Sequence, residues 1–502
     1  MHAARNIILS SLLAVGVLVF LLVYVSKPAQ VDSPKGEPIV FFCAAGIKPP
    51  VERVARQYEK EYGIPIQLQY GGSGTLLNNL QVAGRGDLYL AGDESYLKMG
   101  RERALVAESL PLATIRPVIA AARGNPKNIH SLDDLMREGV SIALANPTAA
   151  AIGQVTQAVF EEKGNWSEVE KRTEVFKPTV NDIANDIKIG AVDAGIVWDA
   201  IAKQYPELEG VEFPEGATRT RQIAVGVLKS SRNPTAALRF ARYLGARDKG
   251  LLEFEKDGYT PVLGDVWEEE PELVLFSGGV NRLAIEGTLE RFEKREGVQI
   301  TRVYNGCGIL VSQMKAGQIP DAYFACDASF MTQVGDIFLD STTVAETDMV
   351  LVVQKGNPKN IRTLADLTAE GLAVGVANPE QSALGALTKR LLEEMGLYEA
   401  IEKNVKTKTP TADLLVNQIR TGSLDAVIVY RANTPYVRDD LDVLSIDHPA
   451  AKAVQPYAVS KDSPHRYLME RLLEAIESEE SKRVFEEIGF RVMGEWGRAE
   501  GH

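Results

Sequence analysis

Basic residues are in deficit. Lys plus Arg number 55 against 68 Asp plus Glu, a formal net charge of −13. A basic footprint for nucleic acid is therefore not expected, and any anionic ligand must be held by local donors. Histidine is scarce at five, with His2 and His502 at the termini, and neither HExxH nor a cysteine/histidine cluster of zinc spacing occurs. That argues against a zinc enzyme. The three cysteines, Cys43, Cys307 and Cys326, cannot all pair, and none lies in a CxxC, so they leave the redox compartment open. What remains is of globular type, with apolar residues at 45% and charged residues at 25%. At ~150 residues per domain, the length of 502 allows two to four domains.

Long apolar runs are absent but for one, the 19 residues 7–25, between Arg5 and Lys27-Pro28. It is long enough to span a bilayer. A cleaved signal would have a core of ~7–15 residues and a small-x-small site, which Val25-Ser26-Lys27-Pro28-Ala29 fits poorly. One N-terminal transmembrane helix, an uncleaved signal anchor with its linker in residues 1–37, is expected. An export signal processed near Ala29 is the alternative. No lipobox is present, because Cys43 lies inside an expected strand. On either reading the rest of the chain is extracytoplasmic.

Self-comparison reveals a duplication. Residues 124–129 (GNPKNI) recur unchanged at 356–361, residues 145–147 (ANP) at 377–379, and GAVDAGIVW at 190–198 as GSLDAVIVY at 422–430, all at an offset of 232. Upstream, YGGSG at 70–74 matches YNGCG at 304–308, and DLYLAGD at 87–93 matches DAYFACD at 321–327, at an offset of 234. A period this long implies whole domains rather than a solenoid. The chain therefore divides into two copies of one unit, 38–262 and 272–494, each a complete domain or domain pair, joined through the acidic, proline-bearing stretch 264–272.

Within the first copy, strand-like runs (39–43, 66–70, 88–91, 118–122, 142–145, 194–198, 223–228) alternate with helical stretches (51–62, 75–83, from 154, 234–244). Such alternation predicts βαβ units with a mainly parallel sheet. A second set of elements begins past Thr114, and the chain returns near Ile223, which makes two lobes and a cleft. Four loops place small or polar residues just before helices: Ala44-Ala45-Gly46-Ile47, Gly71-Gly72-Ser73-Gly74, residues 148–153, and Pro178-Thr179-Val180-Asn181. Amides exposed at helix starts, at the carboxyl ends of strands, form an anion site.

Other chemistries fit less well. A phosphate loop would need Gly-Lys-Ser/Thr, and Gly74 is followed by Thr75-Leu76. A hydrolase elbow would need GxSxG, which Ser73 does not satisfy. Asp87 and Asp93 read as caps of a strand end and a helix rather than a catalytic pair. No nucleophile, base and orienting group can be named together, so an enzyme is not expected.

In order and spacing, the FxAA strand, YGGSGTL, DLYLAGD, GNPKNI, IALANP and the aspartate-bearing run ending in an aromatic resemble the periplasmic molybdate-binding proteins of ABC importers. These belong to the type II substrate-binding superfamily. The resemblance implies an α/β fold of two tandem type II periplasmic-binding-protein-like units, each of two α/β lobes around a cleft. It implies an oxyanion held by hydroxyls, amides and a tyrosine, with no cofactor. The positions fall on Gly46, Ser73 with Gly74, Ile152, Val180 and Trp198 in the first copy. In the second they fall on Val280, Cys307 with Gly308, Leu384, Ala412 and Tyr430. A serine hydroxyl thus remains only in the first copy and the tyrosine only in the second, where Cys307 would offer a weak S–H donor. The implied partners are molybdate, tungstate or a related anion, and an ABC transporter permease. Two readings stay open beside it: ferric iron on tyrosine phenolates (Tyr70, Tyr89, Tyr96, Tyr304, Tyr323, Tyr430), or a tethered ligand-binding ectodomain without a transport role.

Overall fold

Short apolar runs become strands where neighbours bury both faces, and amphipathic stretches become the helices that cover them. In the computed structural model, which describes residues 36–493, strand Ile39–Ala44 is buried almost throughout. It pairs in parallel with Ile66–Gly71 on one side and Leu88–Leu90 on the other. The connecting helix, Lys48–Tyr62, buries Val51, Val54, Ala55 and Tyr58 and stops at Gly63, whose φ of 69° needs no Cβ.

The first half contains two sheets. One runs Thr260–Pro261, Val106–Ile115, Arg221–Leu228, Leu88–Leu90, Ile39–Ala44, Ile66–Gly71; the other runs Val175–Lys177, Ile142–Ala145, Ala194–Trp198, Pro117–Ala122, Leu208–Val211. The chain passes into the second sheet after Ile115 and returns in Arg221–Leu228, giving two lobes with crossovers between them. Both sheets are mixed, because Arg221–Leu228 and Pro117–Ala122 run antiparallel to their neighbours.

The second half repeats this plan with one difference. Strand Thr342–Gln354 runs through both lobes, pairing first with Lys452–Val459 and then with Ala426–Tyr430, so one ten-stranded sheet results. The first half is interrupted here at Arg116, next to Pro117, which has no N–H to give a ladder. Pro117 pairs with Trp198 as Met349 pairs with Tyr430.

Each half buries its own apolar cluster. The stretch between them packs against both. Trp267 stacks edge-on against Tyr62 and Tyr243 of the first half, while the Asp265 carboxylate accepts the Tyr467 and Leu468 amides, at 2.8 and 3.0 Å, at the start of helix Arg466–Ile476. Arg295 forks onto Glu108 across the halves at 2.6 and 2.9 Å. The expected anchor at 7–25 lies outside the described residues. Among the described residues no helix is long and apolar enough to cross a membrane.

Candidate functional site

Four chain segments from the two lobes of the first half converge on one cavity of ≈ 390 Å³, its open mouth included, lined by 44–47, 71–73, Gly92, Ile115, 150–152, Thr179, Val180, Trp198 and Tyr259. No lining side chain carries a charge. Each segment opens a helix at the cavity: a 3-10 turn from Ala45 leading into Lys48–Tyr62, then Ser73–Ala83, Ala151–Glu162 and Val180–Lys188. First-turn amides have no intrahelical acceptor. Among the described residues those of Gly46, Ser73, Ile152 and Val180 have no protein acceptor at all. The cavity is thus walled by N–H groups at the positive ends of helix dipoles.

Ser73 supplies the hydroxyl. Its Oγ accepts the Gly92 amide at 2.9 Å and makes no other hydrogen bond, so its proton is left for a ligand. A Cβ placed on Gly92 would lie 3.2 Å from the Ala151 Cβ, 3.3 Å from Ser73 Oγ and 3.9 Å from Trp198 Nε1. Serine, alanine and indole from three strand ends therefore meet at one point. Thr179 is not a second free hydroxyl, since it forms a capping box with Asp182. Tyr259 donates to the Gly46 carbonyl at 2.7 Å and fixes that loop.

Several expected donors do other work. The Gly74 amide donates to Ala149 O at 2.9 Å, bridging the lobes, and Gly308 does the same to Gln381 O at 3.0 Å. At Gly46, where the resemblance places a serine, a Cβ would stand 3.0 Å from Val180 Cγ1 and 3.2 Å from Ile201 Cδ1. The second half exchanges these sizes, with Val280 for Gly46 and Ala412 for Val180. Leu384 and Ala412 sit at helix starts, as Ile152 and Val180 do. Asp93 caps helix Glu94–Glu102 by accepting the Ser95 amide, with burial holding its carboxyl above the usual range. Asp87 accepts the Val40 amide and the Ser231 hydroxyl.

Cys307 is a correction. It is not a thiol donor, because its sulfur is bonded to Cys326, and three cysteines accordingly resolve into one pair and the buried Cys43. Tyr430 is 2% exposed, and its hydroxyl is buried without a partner. Three of the tyrosines considered for iron are engaged elsewhere: Tyr89 donates to Ser73 O, Tyr96 to Pro147 O and Tyr304 to Glu286. The tyrosine that lines the first cavity is Tyr259. Among the described residues no group of three or more His, Cys, Asp and Glu could hold a metal. Gly92 and Tyr259 escaped the sequence reading. Gly92 lay within the repeated DLYLAGD segment, and that repetition was its available signal.

The chain is 28% identical to a molybdate-binding protein, ModA, of Mycobacterium tuberculosis over 251 residues, 48% of this chain and 94% of that protein. Among solved structures, the periplasmic molybdate-binding protein of Azotobacter vinelandii aligns with 44% of this chain and 98% of its own, at 16% identity and TM-score 0.39. The sulfate-binding protein SubI of Mycobacterium tuberculosis aligns with 45% and 88%, at 17% identity and TM-score 0.40. The family described as bacterial extracellular solute-binding protein matches residues 39–260 and again 273–491, and the chain belongs to that family.

Proposed function

We propose that this solute-binding protein captures a compact oxyanion of the molybdate or tungstate class in its first cleft. It presents the anion to an ABC importer permease, tethered on the periplasmic side of the inner membrane by residues 7–25. The observation that carries the reading is the free Ser73 proton inside a ring of unpartnered helix-start amides, with no charged side chain on the wall. Neutral donors at close range can replace the water of an anion. They give a cation nothing to bind. The relatives named for molybdate support the same class of ligand.

Titration calorimetry of the soluble chain with molybdate, tungstate, sulfate, phosphate and Fe(III) tests the proposal. Saturable binding of molybdate or tungstate is expected. Binding of Fe(III) with no oxyanion response would overturn it in favour of the iron reading. Oxyanion uptake by cells with and without the gene separates transport from a tethered, non-transporting ectodomain.

A further inference from the structure

The second cleft keeps the frame of the first but changes its floor at three positions together. Where the first has Ala44, Ser73 and Gly92, the second has Gly278, Cys307 and Cys326. In the first cleft, the Ser73–Gly92 hydrogen bond ties a helix start to the end of strand Leu88–Leu90. In the second, a disulfide joins the equivalent positions, with Cys307 at 0% and Cys326 at 5% exposure. The third change makes room for it. A Cβ on Gly278 would lie 2.2 Å from Cys326 Sγ and 3.2 Å from Cys307 Sγ, so the alanine of the first cleft and this bond could not coexist.

The exchange alters what the cleft can bind. A disulfide sulfur has no proton to donate, so the place of the Ser73 hydroxyl is taken by an apolar group. The rest of the cradle survives. Helices still start at Cys307, Ala383 and Ala412, and the Tyr430 hydroxyl is buried there with no partner in the protein. Leaving a buried hydroxyl unpaired is unfavourable. An acceptor at that point would relieve it.

We propose that the Cys307–Cys326 disulfide is a gate on a second oxyanion site, so that the oxidised chain carries one anion and the reduced chain two. The proposal rests on the oxyanion reading of the first cleft. Opening is a two-electron reduction by a dithiol. Its thiolate attacks one sulfur, the Cys307–Cys326 bond breaks, and a mixed disulfide forms. The second thiol of the reductant then displaces the protein sulfur and closes the reductant to its own disulfide. Cys307 and Cys326 end as two thiols, and the two protons come from the dithiol. Cys307 then offers an S–H where Ser73 offers its O–H. An oxidising compartment keeps the gate shut. Cys43 stays outside the exchange, since it lies in the core of the first half, away from the Cys307–Cys326 pair in the second, and burial pushes its thiol far up, away from the reactive thiolate.

The test uses the full chain and molybdate as probe. Thiols are counted under denaturing, non-reducing conditions, and molybdate is titrated calorimetrically into the untreated chain, the chain held in dithiothreitol, and Cys307→Ser/Cys326→Gly without reductant. That double variant installs the first cleft's own serine–glycine pair, so it keeps a known way of joining the two positions. Expected are one titratable thiol in the untreated chain with one molybdate bound, and two molybdates in both the reduced chain and the variant. Three thiols in the untreated chain, two anions bound while the bond is intact, or one anion in every form would each overturn the gate. An absence of molybdate binding in every form would overturn the reading of the first cleft, and the gate with it.

Discussion

The Oγ of Ser73 accepts the Gly92 amide at 2.9 Å across the floor of the first cleft. One short bond thereby orients the serine proton toward the cavity and relates two strand ends that must stay in register for the anion site to exist. Replacing Ser73 by alanine removes a donor to a charged ligand, worth ~1.5–3 kcal/mol, or roughly ten- to a hundredfold in affinity. Calorimetry of Ser73→Ala with molybdate or tungstate should show that loss. Unchanged affinity would mean that the anion is held elsewhere.

Closure of the lobes should depend on Gly74. Its amide reaches Ala149 O of the other lobe, and a Cβ at this position would stand 2.2 Å from Thr148 O. Backbone cannot give way as a flexible side chain would, so Gly74→Ala should hold the lobes apart. The expected result is at least ~tenfold weaker binding together with a ligand-induced compaction, seen by small-angle scattering, that the variant no longer shows. Full compaction in the variant would remove Gly74 from the closing surface.

Much of this was legible in the sequence, for physical reasons. The elements followed from apolar periodicity, and helix starts were marked by small residues after strands. The structure moves three starts slightly, to Lys48 from the expected Val51, to Ser73 from Thr75 and to Ala151 from Gln154. The capping role of Asp93 was likewise legible, because an acidic residue just before a helix is a common N-cap. The disulfide was not. Cys307 and Cys326 are 19 residues apart and in no recognisable motif, and their approach depends on Gly278, on a different strand. Nor could spacing reveal which amides bridge the lobes, as those of Gly74 and Gly308 do, and which face the cavity. That is decided by the packing of one lobe on the other.

Two buried arginines near the junction should respond oppositely to removal. Arg471 forks onto Glu296 at 3.0 and 2.8 Å with both residues buried. Arg471→Met would strand that carboxylate, at ~3–5 kcal/mol of stability. Arg242 is 8% exposed, and its Nε and Nη1 have no partner. Burial lowers its guanidinium to about 10, so it stays charged at neutral pH but at a cost to the folded state. Arg242→Met should therefore leave stability unchanged or raise it by up to ~4 kcal/mol, as read from urea unfolding midpoints. A large destabilisation by Arg242→Met would show that its charge is needed by Glu296 and Asp265.

Asp265, between the halves, gives a pH test. Burial raises its carboxyl above the ordinary range, even though the Tyr467 and Leu468 amides and the Arg471 charge pull the other way. A carboxyl whose folded pKa exceeds its unfolded value of ~3.9 binds its proton more tightly when folded. Its contribution to stability is therefore complete below the unfolded pKa and is lost as pH rises through the folded one. Asparagine at this position titrates not at all. Other carboxylates respond alike in both proteins and cancel in the difference. Asp265→Asn should accordingly gain on the wild type in melting temperature as pH is raised from ~4 through the raised folded pKa, and hold a constant offset above it. A difference independent of pH would mean that the two amide hydrogen bonds fully compensate the burial of the charge.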